Sequence, residues 1–331
     1  MTRVRRDRWT VGALAVLGLI LVLAFAGGPV VSRILGHNGY DQFPYATNFS
    51  QKPVGPLTLV PDTPTAFGVQ ANGDFKPPPK GVPRTPFVFG ADGPLGRDEL
   101  IRVLDGGKAS LEIAIGGMVV ALLIGLGLGG AAGYLGGLVD IAVARVTDTI
   151  MAFPLMLFLI FASVQLDAKI GGIGLGWWLP DGVIAEAALI GLFTSFYPTR
   201  LVRADLFRLR DAEFVQAAEM VGASRWRTFS SHLLPHLVPT LLVWGAIAVA
   251  TNILLEVGLS FIGAGVQVST ATWGSLLSTT WGTIFQPQAY DPSHVTAWLT
   301  VFPSVFVLLT VVSLNQVSEG LRRALDPFSA R

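Results

Sequence analysis

The stretch EFVQAAEMVGASRWRTFSSHLLP, from Glu213 to Pro235, decides the interpretation of this sequence. It is polar and helix-forming, yet a long hydrophobic segment lies on each side of it. Its first half carries apolar residues at helical spacing, at Phe214, Ala217, Ala218 and Val221. A patterned, charged connector between two hydrophobic segments indicates a surface that contacts another protein at the edge of a membrane.

Gly222 divides this connector into two predicted helices. Glycine adopts the left-handed conformation without steric cost, so we expect the first helix to end there. Ser224 can cap the second helix with its hydroxyl group, and Pro235 marks the start of the next hydrophobic segment. The residues expected on the buried face of the second helix are Trp226, Phe229 and Leu233.

The composition indicates an integral membrane protein. Hydrophobic residues make up 51% of the chain and charged residues only 14%, whereas about a quarter of a soluble protein is charged. The net charge of only +1 does not indicate a basic surface for binding nucleic acid. There is no cysteine, and the four histidines lack metal-ligand spacing. We therefore predict no metal site and no cofactor.

Six segments are long and apolar enough to cross a bilayer, for which about 20 residues are needed. They are Trp9–Val31, Leu111–Leu135, Ile141–Leu166, Val183–Val202, Leu233–Val257 and Val295–Leu314. The first resembles a cleaved signal peptide at Ala24-Phe25-Ala26, but its uncharged run continues through Val31, which favours a retained span. The predicted fold is all-α, with six transmembrane helices.

Arginine placement predicts the orientation. Clusters at residues 3–8, 200–227 and 322–331 fall on one side of the membrane if the chain crosses it six times. Positive residues accumulate on the cytoplasmic side. Both termini and the connector are therefore predicted to be cytoplasmic, in the cell (inner) membrane.

Three regions follow along the chain. Residues 1–36 form a cytoplasmic tail and the first span, residues 37–95 a proline-rich, irregular extracytoplasmic loop, and residues 96–328 the remaining spans. The loop contains a hairpin signal at residues 71–74, and it is either a solvated linker or a small lid or docking surface. Residues 96–104 predict a short interfacial helix.

The predicted spans contain small residues at regular spacing and prolines at internal positions. Small residues recur every four positions along the second span, at Ala121, Gly125, Gly129, Gly133 and Gly137. Such a stripe lets a neighbouring helix approach closely, either to slide or to pack statically. Prolines predicted to kink their spans are Pro154, Pro198 and Pro303.

The sequence resembles the permease subunits of ABC importers of the dipeptide, oligopeptide and nickel class. The connector matches the family's E-A-A…G…L-P signature, with glutamine in the first position, at Gln216-Ala217-Ala218, Gly222 and Leu234-Pro235. Further matches in the expected order are Gly96-Arg97-Asp98, Gly133-Tyr134-Leu135-Gly136-Gly137, Glu256 to Gly263 and Gly320-Leu321-Arg322. The resemblance covers most of residues 90–328 and leaves the loop at 37–90 unexplained.

The resemblance implies a type I importer transmembrane domain with a coupling segment at residues 204–234, onto which an ATPase docks. It implies three kinds of partner: a second homologous permease, two ABC ATPase subunits and an extracytoplasmic substrate-binding protein. The residues it assigns to ATPase coupling are Glu213, Gln216, Ala217, Ala218, Gly222, Ala223, Ser224, Arg227, His232 and Pro235. ATP hydrolysis would belong to the partners, and the chain itself is not an enzyme.

Four residues near the end of the fifth span are candidates for the translocation pathway or its gate: Asn252, Glu256, Ser260 and Phe261. Polar groups at membrane depth are often functional. Asn252 could equally bond two helices together, and Glu256 could bond the following loop. Two other functions would fit a polytopic chain, an ion-coupled secondary transporter or a membrane-embedded enzyme. Neither is favoured, because spans lack repeated acids and no cluster of catalytic groups is evident.

Overall fold

The computed structural model describes residues 7–47, 53–62, 81–93, 95–170, 182–266, 270–284 and 297–325. Helices dominate this part of the chain. They are α1 (Arg8–Val22), α2 (Gly28–Leu35), α3 (Glu99–Leu135), α4 (Gly137–Met151), α5 (Leu155–Ile170), α6 (Val183–Thr194), α7 (Phe196–Leu209), α8 (Glu213–Met220), α9 (Arg225–Arg227), α10 (Leu234–Phe261), α11 (Trp273–Ile284) and α12 (Trp298–Leu325). Two short strands, β1 (Thr58–Pro61) and β2 (Arg84–Phe87), pair antiparallel.

The all-α membrane fold is confirmed, with a different set of spans from the six predicted. Among the described residues, four helices are long and apolar enough to cross a membrane, at residues 8–35, 99–135, 225–261 and 298–325. The third predicted span is instead a bent pair, α4 and α5, with an angle of 88° between them. The fourth is the short apolar helix α6, of 12 residues, followed directly by α7.

Proline explains both interrupted spans. Pro154 and Pro198 have no backbone N–H with which to bond the carbonyl one turn earlier. The chain leaves the helix between Met151 and Leu155, and α6 ends at Thr194, four residues before Pro198. By contrast, α12 continues through Pro303. Pro154 and Pro198 therefore account for the two interruptions, whereas Pro303 causes none.

The small residues of α3 allow α7 to approach closely. A Cβ atom added to Gly125 would lie 2.7 Å from Pro198 Cγ, and one added to Gly129 would lie 2.5 Å from the Thr199 carbonyl oxygen. Since real Cβ atoms do not come this close, glycine is required at both positions. Gly137 lies beyond the end of α3, at the start of α4, so its place in the predicted stripe is wrong.

The segment before α3 forms a small folded unit, which we call the cap (the described residues within 37–98). The inner faces of the strands contribute to an apolar cluster whose buried members are Phe43, Ala46, Val60, Phe87 and Ala91. Part of the loop predicted as irregular is therefore structured. The predicted turn at residues 71–74 lies outside the described residues.

Buried charges tie the cap to α3. The Asp92 carboxylate contacts Arg97 Nη2 at 2.6 Å and Arg102 Nε at 2.7 Å, and His37 Nε2 lies 3.1 Å from Asp98 Oδ2. Asp98 also accepts hydrogen bonds from the first amides of α3. The predicted interfacial helix at 96–104 is wrong, because α3 runs unbroken from Glu99 into the span.

The two ends of the helix bundle differ. The Phe89 ring of the cap stacks on Phe302 in the N-terminal part of α12, with centroids 3.9 Å apart. At the other end of α12, Arg323 Nη1 lies 3.2 Å from Asp7 Oδ2, just before α1. The first and last helices thus have their outer termini at one end of the bundle, and the cap lies at the opposite end.

Candidate functional site: the coupling segment

The predicted helix–turn–helix is present between α7 and α10. Helix α8 begins at Glu213 and ends at Met220, and Gly222 follows with φ of +86°. The Gly222 amide donates to the Glu219 carbonyl at 2.9 Å, and the Ala223 amide donates to the Ala218 carbonyl at 3.0 Å. This left-handed turn reverses the chain at the tip of the segment.

The second half of the segment merges with the following span. Ser224 caps α9, because its hydroxyl accepts from the Arg227 amide at 3.3 Å. A π-helical stretch, Thr228–Leu233, then leads without a break into α10, where Pro235 occupies the first turn. Proline is tolerated there because the first turn needs no amide donor. The second half of the segment is therefore continuous with a helix that is long and apolar enough to cross the membrane.

Two residues anchor the segment in the bundle. Val215 of α8 and Leu233 of the π-helical stretch are buried in a cluster with side chains of α7 and α10. Each fully buried aliphatic side chain contributes roughly 1.5–3 kcal/mol. The apolar residues at helical spacing, Phe214, Ala217, Ala218 and Val221, are exposed or partly buried, and their contact with another protein stays a prediction.

The tip of the segment leaves apolar side chains in the open. Met220 is 82% exposed, Val221 90% and Trp226 75%. Trp226 had been placed on the buried face of the second helix, and the structure corrects this. Contiguous apolar surface of this kind marks a contact with another protein or with lipid.

The remaining predicted coupling residues surround this tip. Glu213, Gln216, Ala217, Ser224 and Arg227 are exposed, whereas Ala218, Ala223 and His232 are partly buried. Glu213 lies in the first turn of α8, where an acidic group favours the helix dipole. Gln216 Nε2 donates to the Asp211 carbonyl at 3.1 Å, so this replacement of the family's glutamate fixes the turn before α8.

An ion pair fixes the helix that leads into the segment. Arg203 of α7 contacts the Asp140 carboxylate of α4 through Nε and through Nη2, the latter at 3.0 Å. Two parallel bonds of this type restrict geometry as well as adding energy. No local pattern of residues predicts this pair, because its members lie 63 positions apart. The exposed tip, by contrast, has a local signal in the sequence, because Met220 and Val221 are consecutive apolar residues inside a polar connector.

The pathway candidates at the opposite end of α10 bind other helices. Asn252 Nδ2 donates to the Ala114 carbonyl of α3 at 3.1 Å. Glu256 is buried and accepts from Ser260 Oγ at 2.9 Å, while the hydroxyl groups of Ser110 and Thr272 also face its carboxyl group. Ser260 is buried and Phe261 is partly exposed. These contacts match the helix-bonding alternative, and a role in the pathway stays a prediction.

Comparisons with known proteins agree with this geometry. The family model described as "Binding-protein-dependent transport system inner membrane component" matches residues 113–331. The oligopeptide transport system permease protein OppC of Haemophilus influenzae is 33% identical over 239 residues, which cover 72% of this chain and 70% of that protein. A putative peptide permease protein of Brucella ovis is 34% identical over 240 residues, which cover 72% of each chain.

Among solved structures, the MetNI methionine ABC transporter in an inward-facing conformation is similar to this chain. The match covers 68% of this chain and 96% of that one, at 18% identity and a TM-score of 0.48. The family model spans well over half of the chain, and the relatives match at more than 30% identity. The chain therefore belongs to the binding-protein-dependent transport system inner membrane components, as a permease subunit of an ATP-driven importer.

Proposed function

We propose that this chain forms, with a second homologous permease, the translocation path of an importer for peptides or similar small solutes. Two ATPase subunits would power it and an extracytoplasmic binding protein would deliver the solute. The peptide class is inferred from the relatives in Haemophilus influenzae and Brucella ovis, which are named as oligopeptide or peptide permeases.

The observation that carries the proposal is the exposed apolar tip of the coupling segment. Met220 and Val221 project from a turn whose base is buried through Val215 and Leu233. A turn with a buried base and an exposed apolar tip can bind a partner through the tip and pass the partner's movement to the helices that pack around the base. We propose that this tip inserts into a groove on an ATPase and that closure of the ATPase dimer moves α10.

The orientation belongs to the same proposal. The coupling segment lies beside the C-terminal part of α3, whose N-terminal end carries the cap. The termini pair through Asp7 and Arg323 at the end of the bundle away from the cap. This arrangement agrees with cytoplasmic termini, a cytoplasmic coupling segment and an extracytoplasmic cap.

Affinity purification of the assembled complex tests the proposal. A tagged chain, solubilised gently, should recover a second permease and two ATPase subunits, and the reconstituted complex should accumulate peptide only with ATP. Full uptake activity by the chain alone would contradict the proposal. Import that responds to an ion gradient and not to ATP would support the ion-coupled alternative instead.

A further inference from the structure

An apolar groove lies beside the coupling segment, against the C-terminal part of α3. Its volume is about 330 Å³, within the range of about 300–1,000 Å³ that is usual for ligand sites. Helix α3 supplies one wall and the residues after Ser224 supply the other. The side chains that matter most for its chemistry are Tyr134, Arg225, Trp226 and Phe229.

Glycine keeps the groove open along α3. Gly127 and Gly130 both line it, and a Cβ atom added to Gly127 would meet no atom within 4 Å. Phe229 forms the floor, since a Cβ atom on Gly130 would lie 3.2 Å from its Cζ. Because residues three apart lie on the same face of a helix, the trough runs along the helix axis.

Among the residues that the structure describes, Arg225 is the one charged residue that lines the groove. It has no ion-pair partner among these residues. The Tyr134 hydroxyl is buried and makes no hydrogen bond within the described part of the chain.

We propose that this groove binds one anionic phospholipid of the cytoplasmic leaflet. The inference rests on the orientation given above, which puts the groove at that leaflet. An acyl chain lies along Gly127 and Gly130, and the phosphate group pairs with Arg225. Charge complementarity carries the choice of occupant, because basic pockets beside transmembrane helices on the cytoplasmic side bind acidic head groups.

Such a lipid would affect transport through its position. The walls of the groove are the span α3 and the second half of the coupling segment. The centroid of the Phe229 ring lies 6.2 Å from that of Tyr134 and 6.1 Å from that of Trp226. A bound acyl chain therefore braces the coupling segment against α3. ATP-driven uptake should accordingly be higher in membranes that contain anionic lipid.

Lipid retention by the assembled complex tests the site. The complex, placed in nanodiscs of mixed phosphatidylglycerol and phosphatidylcholine, is analysed by native mass spectrometry. The unmodified complex should retain phosphatidylglycerol, and Arg225→Gln should reduce that retention roughly fivefold, as expected for one lost charge near the membrane surface. Gly127→Phe, which fills the trough, should abolish retention.

A matched control is Gly18→Phe in α1, another position where an added Cβ atom meets nothing within 4 Å. It should leave lipid retention unchanged. Equal retention of both lipids by the unmodified complex, or normal retention by Gly127→Phe, would overturn the lipid site. So would a cross-link from the groove to the second permease, which would show that a protein fills it.

The lipid site and the proposed function fail in different ways. Retention needs no ATP hydrolysis, so a complex that holds phosphatidylglycerol but never imports peptide contradicts only the transport proposal. A complex that imports equally well with and without anionic lipid, and retains none of it, contradicts only the lipid site.

Discussion

The junction of the cap with α3 and the tip of the coupling segment differ in what they bury. The junction buries charged groups in pairs, and the tip leaves apolar side chains exposed. Where the cap meets α3, five charged or titratable groups are all buried in pairs: His37, Asp92, Arg97 and Asp98 of the cap and Arg102 of α3. The coupling segment instead exposes its apolar tip at Met220 and Val221. The charged groups of the junction find their partners within this chain, whereas the tip of the coupling segment is open to a partner, and we propose that the moving contact of the transporter lies at this tip.

The largest effect is expected at the turn of the coupling segment. Gly222→Pro removes the amide that bonds Glu219 and forbids φ of +86°, so the tip loses its shape. Peptide uptake should fall to background while the chain still inserts into the membrane. Uptake assays and membrane fractionation check both outcomes.

Gly222→Asp should have the same consequence, and Gly36→Asp provides the matched control. Gly36, just before the cap, also has positive φ, +77°, and open space around it. Aspartate is strained by roughly 1–2 kcal/mol at either position, but only Gly222 belongs to the docking turn. Equal loss of uptake in both variants would remove the distinction between the two regions.

The next largest effect concerns the stability of the cap. Asp92→Ala leaves Arg97 and Arg102 buried without their shared carboxylate, which should destabilise the cap by about 3–5 kcal/mol. Limited proteolysis of the purified complex at the cap measures this. The control is Asp148→Ala, whose pair with Arg200 is half exposed and should contribute less than about 1 kcal/mol.

A smaller effect is expected from truncating the exposed tip. Met220→Ser together with Val221→Ser should weaken recovery of the ATPase subunits about thirtyfold, because two interface side chains that each contribute roughly 1 kcal/mol together contribute about 2 kcal/mol. Thermal stability of the chain should not change, since both side chains are solvent-exposed. The paired control, Leu57→Ser with Leu59→Ser on the outer face of the cap, should leave ATPase recovery intact.

The smallest effect is a pH dependence confined to the cap. Burial alone lowers the pKa of His37, but the hydrogen bond and charge of Asp98 outweigh it and raise the pKa above its usual value. The stabilisation by protonated His37 is complete below about pH 6.5 and is lost as pH rises through the raised folded pKa. Proteolysis of the cap should therefore quicken as the pH rises above about 6.5, and His37→Gln should remove this dependence.

The sequence predicted local features well. Gly222 as a helix terminus, Ser224 as a cap and the close packing of Gly125 and Gly129 follow from backbone geometry, which neighbouring residues determine. The six-span count was less accurate, because hydropathy does not register the breaks at Pro154 and Pro198.

Contacts between distant segments could not be predicted. Asp140 and Arg203, or His37 and Asp98, become neighbours only when the helices assemble. The burial of Val215 in α8 is a further contact of this kind. Val215 is buried because α7 and α10 lie on its side of the helix, and helical spacing alone does not say which side a partner covers.

Cysteine cross-linking tests the central claim most directly, because the chain contains no cysteine of its own. Val221→Cys, in the assembled complex in its native membrane, is treated with a thiol-specific cross-linker, with Leu57→Cys in the cap as the control. We predict a cross-link from position 221 to an ATPase subunit and none from position 57. Labelling of position 221 by a membrane-impermeant reagent from outside the cell, with no cross-link to an ATPase, would contradict the account.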